Sequence, residues 1–232
     1  MTIPSPNIWH WPEVYEVENR AQDADGAIYR QLAGTVDWSD SVVVDLGCGT
    51  GFHLPMFAET AAAVIGVEPH VPLVEAARRR TGPLVNVEVL EGSAESMPVG
   101  DAVADLIHAR TAYFFGPGCG AGIAESMRVL KPGGVLAVID LDATAFDYGR
   151  WMRADLPQYD PGRVERFFDA QGFSTVRVDT RWEFPDRRAL REVLGIEFTK
   201  RTAAKAFDQT PGLALDVRYR LHTRRRPKGL AL

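Results

Sequence analysis

VVVDLGCGTGFHLP, residues 42–55, runs from apolar residues into an acid and then places three glycines at every second position. The β-branched run up to Asp45 suits a central strand buried on both faces. Gly47, Gly49 and Gly51 allow a tight turn and close approach of a ligand to the backbone. His53 to Glu59 reads as a helix, so the loop joins a strand to a helix. A ligand held there lies beyond the carboxyl end of the strand, at the switch point of a doubly wound sheet.

Spacing selects among the ligands. A dinucleotide loop needs G-x-G-x-x-G, and the third glycine would fall on Phe52 or Leu54. A P-loop fails too, because no G-K-[ST] closes the turn. The remaining pattern is D-x-G-x-G-x-G. An acid ahead of the glycines repels a phosphate and suits a ligand carrying an ammonium and a positive sulfonium.

Further strands are expected at 62–68, 85–92, 103–110 and 134–142, and helices at 71–80 and 119–130. Lys131-Pro132-Gly133-Gly134 reads as the turn that stops the last of these helices. Residues 163–171 read as a helix, 173–184 and 215–226 as an antiparallel closing pair of strands, and Asp186 to Phe207 as one helix. Val14 to Ala33 supplies one or two leading helices. The expected fold is α/β, a Rossmann-like, doubly wound, seven-stranded, mostly parallel sheet with an antiparallel last strand, in three α/β/α layers. The expected organisation is a single domain over 1–232. Its parts are a helical cap at 1–38, a cofactor core at 40–142, a candidate lid at 143–160 and completion of the sheet by 161–232.

The chain has 232 residues, 46% of them apolar and 25% charged, an ordinary globular composition. Two cysteines, Cys48 and Cys119, build neither a disulfide framework nor a four-ligand zinc site, and no metal is expected. Neither a leader pattern nor a long apolar run occurs, so a cytoplasmic protein without membrane partners is expected, as monomer or homodimer. The formal net charge of −5 argues against a nucleic-acid substrate. Residues 1–149 carry 8 Lys/Arg against 20 Asp/Glu, whereas 150–232 carry 18 against 11. The asymmetry is read either as two parts packed together or as a basic rim of Arg187, Arg188, Arg224, Arg225 and Arg226 that attracts an acidic substrate.

On Asp45, Gly47, Gly49 and Gly51, with Glu68 in GVEPH, GSAESMPV at 92–99 and ESMRVLKPGGVLAVID at 125–140, the sequence resembles the class I S-adenosylmethionine-dependent methyltransferases of the UbiE-like, small-molecule type. The resemblance implies S-adenosylmethionine as cofactor and S-adenosylhomocysteine as product. It assigns the ribose hydroxyls to Glu68, whose carboxylate offers two acceptors to two donors. Adenine falls to Ser93, Ala94 and Glu95, with Met97 near the ring. Cys48, His53, Pro69 and His108 complete the expected cofactor contacts, His53 either at the methionine carboxylate or in a structural role.

The expected reaction is methyl transfer to O, N or C of a small molecule, with RNA or protein methylation, or cofactor binding without transfer, as alternatives. The loop after the fourth strand would face the methyl. His108 is a candidate base, with hydrogen bonding to cofactor or backbone as its other reading, and Arg110 and Tyr113 are candidates for gripping the acceptor. Asp140 and Asp142 would orient substrate or cap a helix. Cys119 has no identifiable base partner. Trp9, Trp11, Tyr15, Tyr148 and Trp151 would form an aromatic acceptor pocket, or else core.

Overall fold

The computed structural model describes residues 6–229. Three short helices lead in, α1 (Pro6–His10), α2 (Pro12–Ala21) and α3 (Ala27–Thr35). The first half then alternates β1 (Val42–Leu46), α4 (Leu54–Ala58), β2 (Ala63–Glu68), α5 (Val71–Thr81), β3 (Val87–Glu91), β4 (Ala104–Arg110), α6 (Gly120–Val129) and β5 (Leu130–Leu141). The second half holds α7 (Phe146–Asp155), α8 (Pro161–Ala170), β6 (Ser174–Glu183), α9 (Arg187–Glu197), α10 (Lys200–Gln209) and β7 (Ala214–Arg225). The strands form one seven-stranded sheet in the order β3-β2-β1-β4-β5-β7-β6. All pairings are parallel except those of β7, which runs antiparallel to both β5 and β6.

Alternation along β1 explains the three layers. Val43 packs into a cluster with Leu32 of α3, Phe57 of α4 and Val74 of α5, to which α7, α9 and β7 also contribute. Val44 and Leu46 point the other way, into a cluster with Ile123 of α6 and Val164 and Phe168 of α8. The sheet order reverses between β1 and β4, and the carboxyl ends of both strands open onto one crevice.

Two sequence expectations are corrected. Lys131-Pro132-Gly133-Gly134 is not a turn outside the sheet but the start of β5, beside a register shift opposite β4 at Ala104/Leu106. Gly133 takes φ +89° there and donates its N–H to the carbonyl of Arg226, so glycine permits an irregular strand start rather than a reversal. The single helix expected from Asp186 to Phe207 is two, α9 capped by the Asp186 carboxylate on the Ala189 N–H, and α10. The leading segment at 14–33 falls in two helices, α2 and α3, within the one or two expected, and α1 precedes it.

The basic rim is also largely spent within the fold. Arg187 donates to the carbonyls of Thr210, Gly212 and Phe207 at the end of α10, and Arg188 pairs with Glu192. Arg225 donates to the Gly133 carbonyl and Arg226 to those of Arg128 and Leu130. Among the described residues no helix is long and apolar enough to cross a membrane.

Candidate active site

The three loop glycines all have left-handed backbones, with φ +74° at Gly47, +55° at Gly49 and +76° at Gly51. At two of them side-chain space is also lacking. A Cβ on Gly47 would lie 2.6 Å from that of Ala112, and one on Gly49 would lie 2.7 Å from Ile8 Cδ1. The loop is thereby pressed between the segment after β4 and helix α1. The Gly49 N–H donates to Glu68 Oε2 at 3.1 Å and the His70 N–H to Oε1 at 3.0 Å. Each Glu68 oxygen thus takes one backbone donor and keeps lone-pair capacity for another. Burial raises the Glu68 pKa, and the two amides only partly offset it.

In front of the loop lies a cavity of about 390 Å³, within the size range of small-molecule sites. Gly47, Cys48, Gly49, Glu68, Pro69 and Ala94 form one part of its wall, and Ile8, Trp9 and Phe52 cover it. The other part is built by Tyr15 and Glu18 of α2, Gln22 just after it, Arg110 at the end of β4, Thr111 and Tyr113 after it, Asp140 and Leu141 at the end of β5, Met152, and Glu197 of α9. Thr111 and Tyr113 have positive φ, 47° and 53°, so the turn after β4 is held in an uncommon backbone conformation at the cavity wall.

Of the sequence candidates, Gly47, Cys48, Gly49, His53, Glu68, Pro69, Ala94, Arg110, Tyr113, Trp9 and Tyr15 line this cavity. Trp9 stacks on His70 with ring centroids 4.5 Å apart, and the Tyr15 hydroxyl meets that of Thr111 at 3.3 Å. His53 is half-buried, and desolvation, reinforced by the Arg110 charge, pushes its pKa well down. Its neutral ring can accept at Nε2 from Arg110, 3.4 Å away. Arg110 also donates to Gln22 at 2.9 Å and lies over the Tyr219 ring. The Tyr113 hydroxyl donates to Glu95.

Asp140 lines it as well; the others do not, and several readings change. His108 is not among the lining residues. It is 2% exposed, and Nδ1 meets Asp45 Oδ1 at 2.7 Å, because the parallel register sets Asp45 directly beside His108 on neighbouring strands. The base assignment is therefore withdrawn, and Asp45 braces the strand end from behind. Gly51 shapes the loop without lining it; Ser93 closes a tight bridge with Ser96. Tyr148 and Trp151 are core residues on the inward face of α7, 3% and 1% exposed, tied by hydrogen bonds to Glu197 and Gln209. The lid reading fails for them because an amphipathic helix buries its aromatic stripe. Their neighbour Met152 reaches the cavity instead. Trp11 is more than half exposed and outside the cavity wall. Asp140 gives both oxygens to Arg220, at 3.0 and 2.6 Å, while Asp142 accepts from the backbone and hydroxyl of Thr144. The Cys119 thiol is buried, which pushes its pKa up to about 11 and suits it poorly to nucleophilic work.

Among the wall residues passed over in the sequence are two acids, Glu18 and Glu197. A signal existed: Glu197 continues the apolar stripe Leu190, Val193, Leu194 of α9, and Glu18 sits one turn after Val14 and three before the buried Ala21. An acid on the inward face of a helix marks a site or a specific partner.

Residues 43–134 match the family model described as methyltransferase domain. An uncharacterized methyltransferase of Synechocystis, sll0829, is 33% identical over 104 residues, 43% of this chain and 46% of the relative. Trans-aconitate 2-methyltransferase of Acidovorax is 28% identical over 203 residues, 79% of this chain and 76% of that one. The solved structure of YcgJ from Bacillus subtilis has the same fold, with TM-score 0.62 and 19% identity, covering 86% of this chain and 98% of its own. The chain spans about a third to a half of the length of the first curated relatives it matches. The glycine loop, the acid at the end of β2 and the sheet order agree with these matches, so that over residues 43–134 the chain is similar to the methyltransferase domain of S-adenosylmethionine-dependent enzymes.

Proposed function

We propose that this protein transfers a methyl group from S-adenosylmethionine to a small-molecule acceptor held in the same cavity. The observation that carries the reading is the pairing of a ribose-type acceptor with a backbone cradle. Glu68 keeps lone pairs on both oxygens facing the cavity, beside glycines whose missing side chains make the room. When bound, the cofactor supplies an electrophilic methyl on a sulfonium.

The residues then divide the work. Glu68 accepts from the ribose hydroxyls, Ala94 and Pro69 border the adenine side, and Gly47 to Gly49 leave backbone exposed to the amino-acid part. Ile8 and Trp9 of α1 lie over the loop and exclude water. The acceptor is held by the wall of Tyr15, Gln22, Arg110, Tyr113 and Met152, which offers hydroxyl, amide and guanidinium groups beside one thioether, so that its nucleophile is aligned with the methyl. The enclosing wall, built by α1 and α2 and by residues of α7 and α9, favours a small molecule over a nucleic acid or a folded protein.

Incubation with methyl-labelled S-adenosylmethionine and fractionated cell extract tests this. Label is expected in the low-molecular-mass organic fraction, dependent on the intact protein. Label confined to RNA or protein would overturn the small-molecule reading, and no label in any fraction would favour a cofactor-binding protein without transfer.

A further inference from the structure

We propose that Glu18 and Glu197 form a carboxyl pair that takes the acceptor's proton during methyl transfer, so that the acceptor is a protic nucleophile, an amine N–H or a hydroxyl O–H, and not a carboxylate. The inference deepens the function proposed above and rests on it.

The two acids come from α2 and α9, and both line the cavity. Glu197 is held from two sides, by the Asn7 side-chain N–H on Oε1 and the Tyr148 hydroxyl on Oε2, each at 2.6 Å. Gln22 donates to Glu18 Oε1 at 2.7 Å. Glu18 is 3% exposed, yet no N–H or O–H of the described residues reaches its buried Oε2. Both carboxyls line the same cavity, and each bears on the other's ionisation. Two buried acids so placed favour one shared proton over two charges. Burial first, and then the charge of Glu197, push the Glu18 carboxyl well above the usual range, and burial also raises Glu197.

The groups facing the pair keep it near one shared proton. Tyr15 of α2, Tyr148 of α7 and Tyr219 of β7 all have raised pKa values through burial and stay neutral, which leaves Arg110 of β4 as the facing cation. Charge balance then links the pair to the reaction. A bound sulfonium adds a positive charge that favours release of the shared proton to solvent. On transfer the acceptor atom bonds the methyl, the sulfur–methyl bond breaks with its electron pair left on sulfur, and the acceptor's N–H or O–H proton passes to the pair. Loss of the sulfonium charge and protonation of the pair offset each other, so the cavity keeps its net charge. A carboxylate acceptor has no proton to give, and the pair repels it.

Calorimetric titration of the protein with S-adenosylmethionine and with S-adenosylhomocysteine, in buffers of different ionisation enthalpy, counts the protons exchanged. S-adenosylmethionine is expected to release up to about one proton more than S-adenosylhomocysteine. Glu18→Gln and Glu197→Gln, which keep shape and hydrogen bonding, are expected to abolish that difference while both ligands still bind. Equal proton counts for the two ligands in the wild type, or a difference unchanged in the variants, would overturn the proposal. The wild-type comparison stands whether or not either variant folds. If the wild type binds neither ligand, the proposed function itself falls, a result distinct from binding with equal proton counts.

Discussion

Glu68→Ala is the perturbation for which the structure gives the clearest magnitude. In the wild type the carboxylate is 5% exposed and accepts the N–H groups of Gly49 and His70, at 3.1 and 3.0 Å. Its remaining lone pairs face the cavity, where two ribose hydroxyls would donate. Hydrogen bonds to a charged group contribute about 1.5–3 kcal/mol each, but water entering the truncated site restores part of this, so a net loss of about 1–3 kcal/mol in ligand binding is expected. That corresponds to a dissociation constant for S-adenosylhomocysteine about 5- to 150-fold weaker by calorimetric titration. The two backbone amides also lose their acceptor, so the free variant should unfold at lower denaturant concentration. Glu68→Gln keeps one carbonyl oxygen and should fall between wild type and Ala. Because the Glu68 pKa is raised, wild-type affinity should weaken as pH falls through that raised value, and the Gln variant should not follow. An Ala variant that binds within about twofold of wild type would show that this carboxylate does not hold the ligand.

Three other outcomes follow from the geometry. His108→Ala leaves Asp45 Oδ1 without its partner beside Oδ2, which already has none, and should cost about 3 kcal/mol in denaturant unfolding, with turnover falling only as far as folding does; unchanged stability would contradict the bracing role. Trp151→Ala empties a core site and should cost about 3–5 kcal/mol while S-adenosylhomocysteine affinity in the folded fraction stays unchanged; a loss of affinity without a loss of stability would restore the lid reading. Raised carboxyls at Glu18 and Glu197 mean that the folded state binds more protons than the unfolded one. Stability from this source is present below the ordinary Glu range and is lost as pH rises through the raised values. Urea midpoints should therefore fall more steeply for wild type than for Glu18→Gln as pH rises above the ordinary Glu range, and parallel slopes would contradict the paired state.

The parts of this molecule legible in its sequence are those where backbone geometry dictates residue type. Gly47 and Gly49 stand where φ is positive and no Cβ fits, and Glu68 ends a strand whose neighbours fix its place, so loop, sheet and the adjoining cavity wall could be read together. The opposite wall could not. His108 looks reactive in a linear reading, and only the β1–β4 register reveals that Asp45 occupies its ring nitrogen. Tyr148 and Trp151 stood between pocket and core in the sequence, and the packing of α7 decides for core by turning the stripe they share inward. Glu18 and Glu197 sit on helices far apart in the chain, and their meeting is a consequence of how α2 packs on α9. Tertiary packing, rather than local propensity, decides that half of the site.

The most direct measurement of the central claim is the unfolding stability of the wild-type protein with and without S-adenosylhomocysteine. At about 100 times its dissociation constant the ligand should add about 2.7 kcal/mol, with a matching rise in melting temperature, and Glu68→Ala at the same ligand concentration should lose most of that gain. A wild-type melting temperature that does not move at saturating S-adenosylhomocysteine would contradict the assignment of the glycine loop and its cavity to this cofactor.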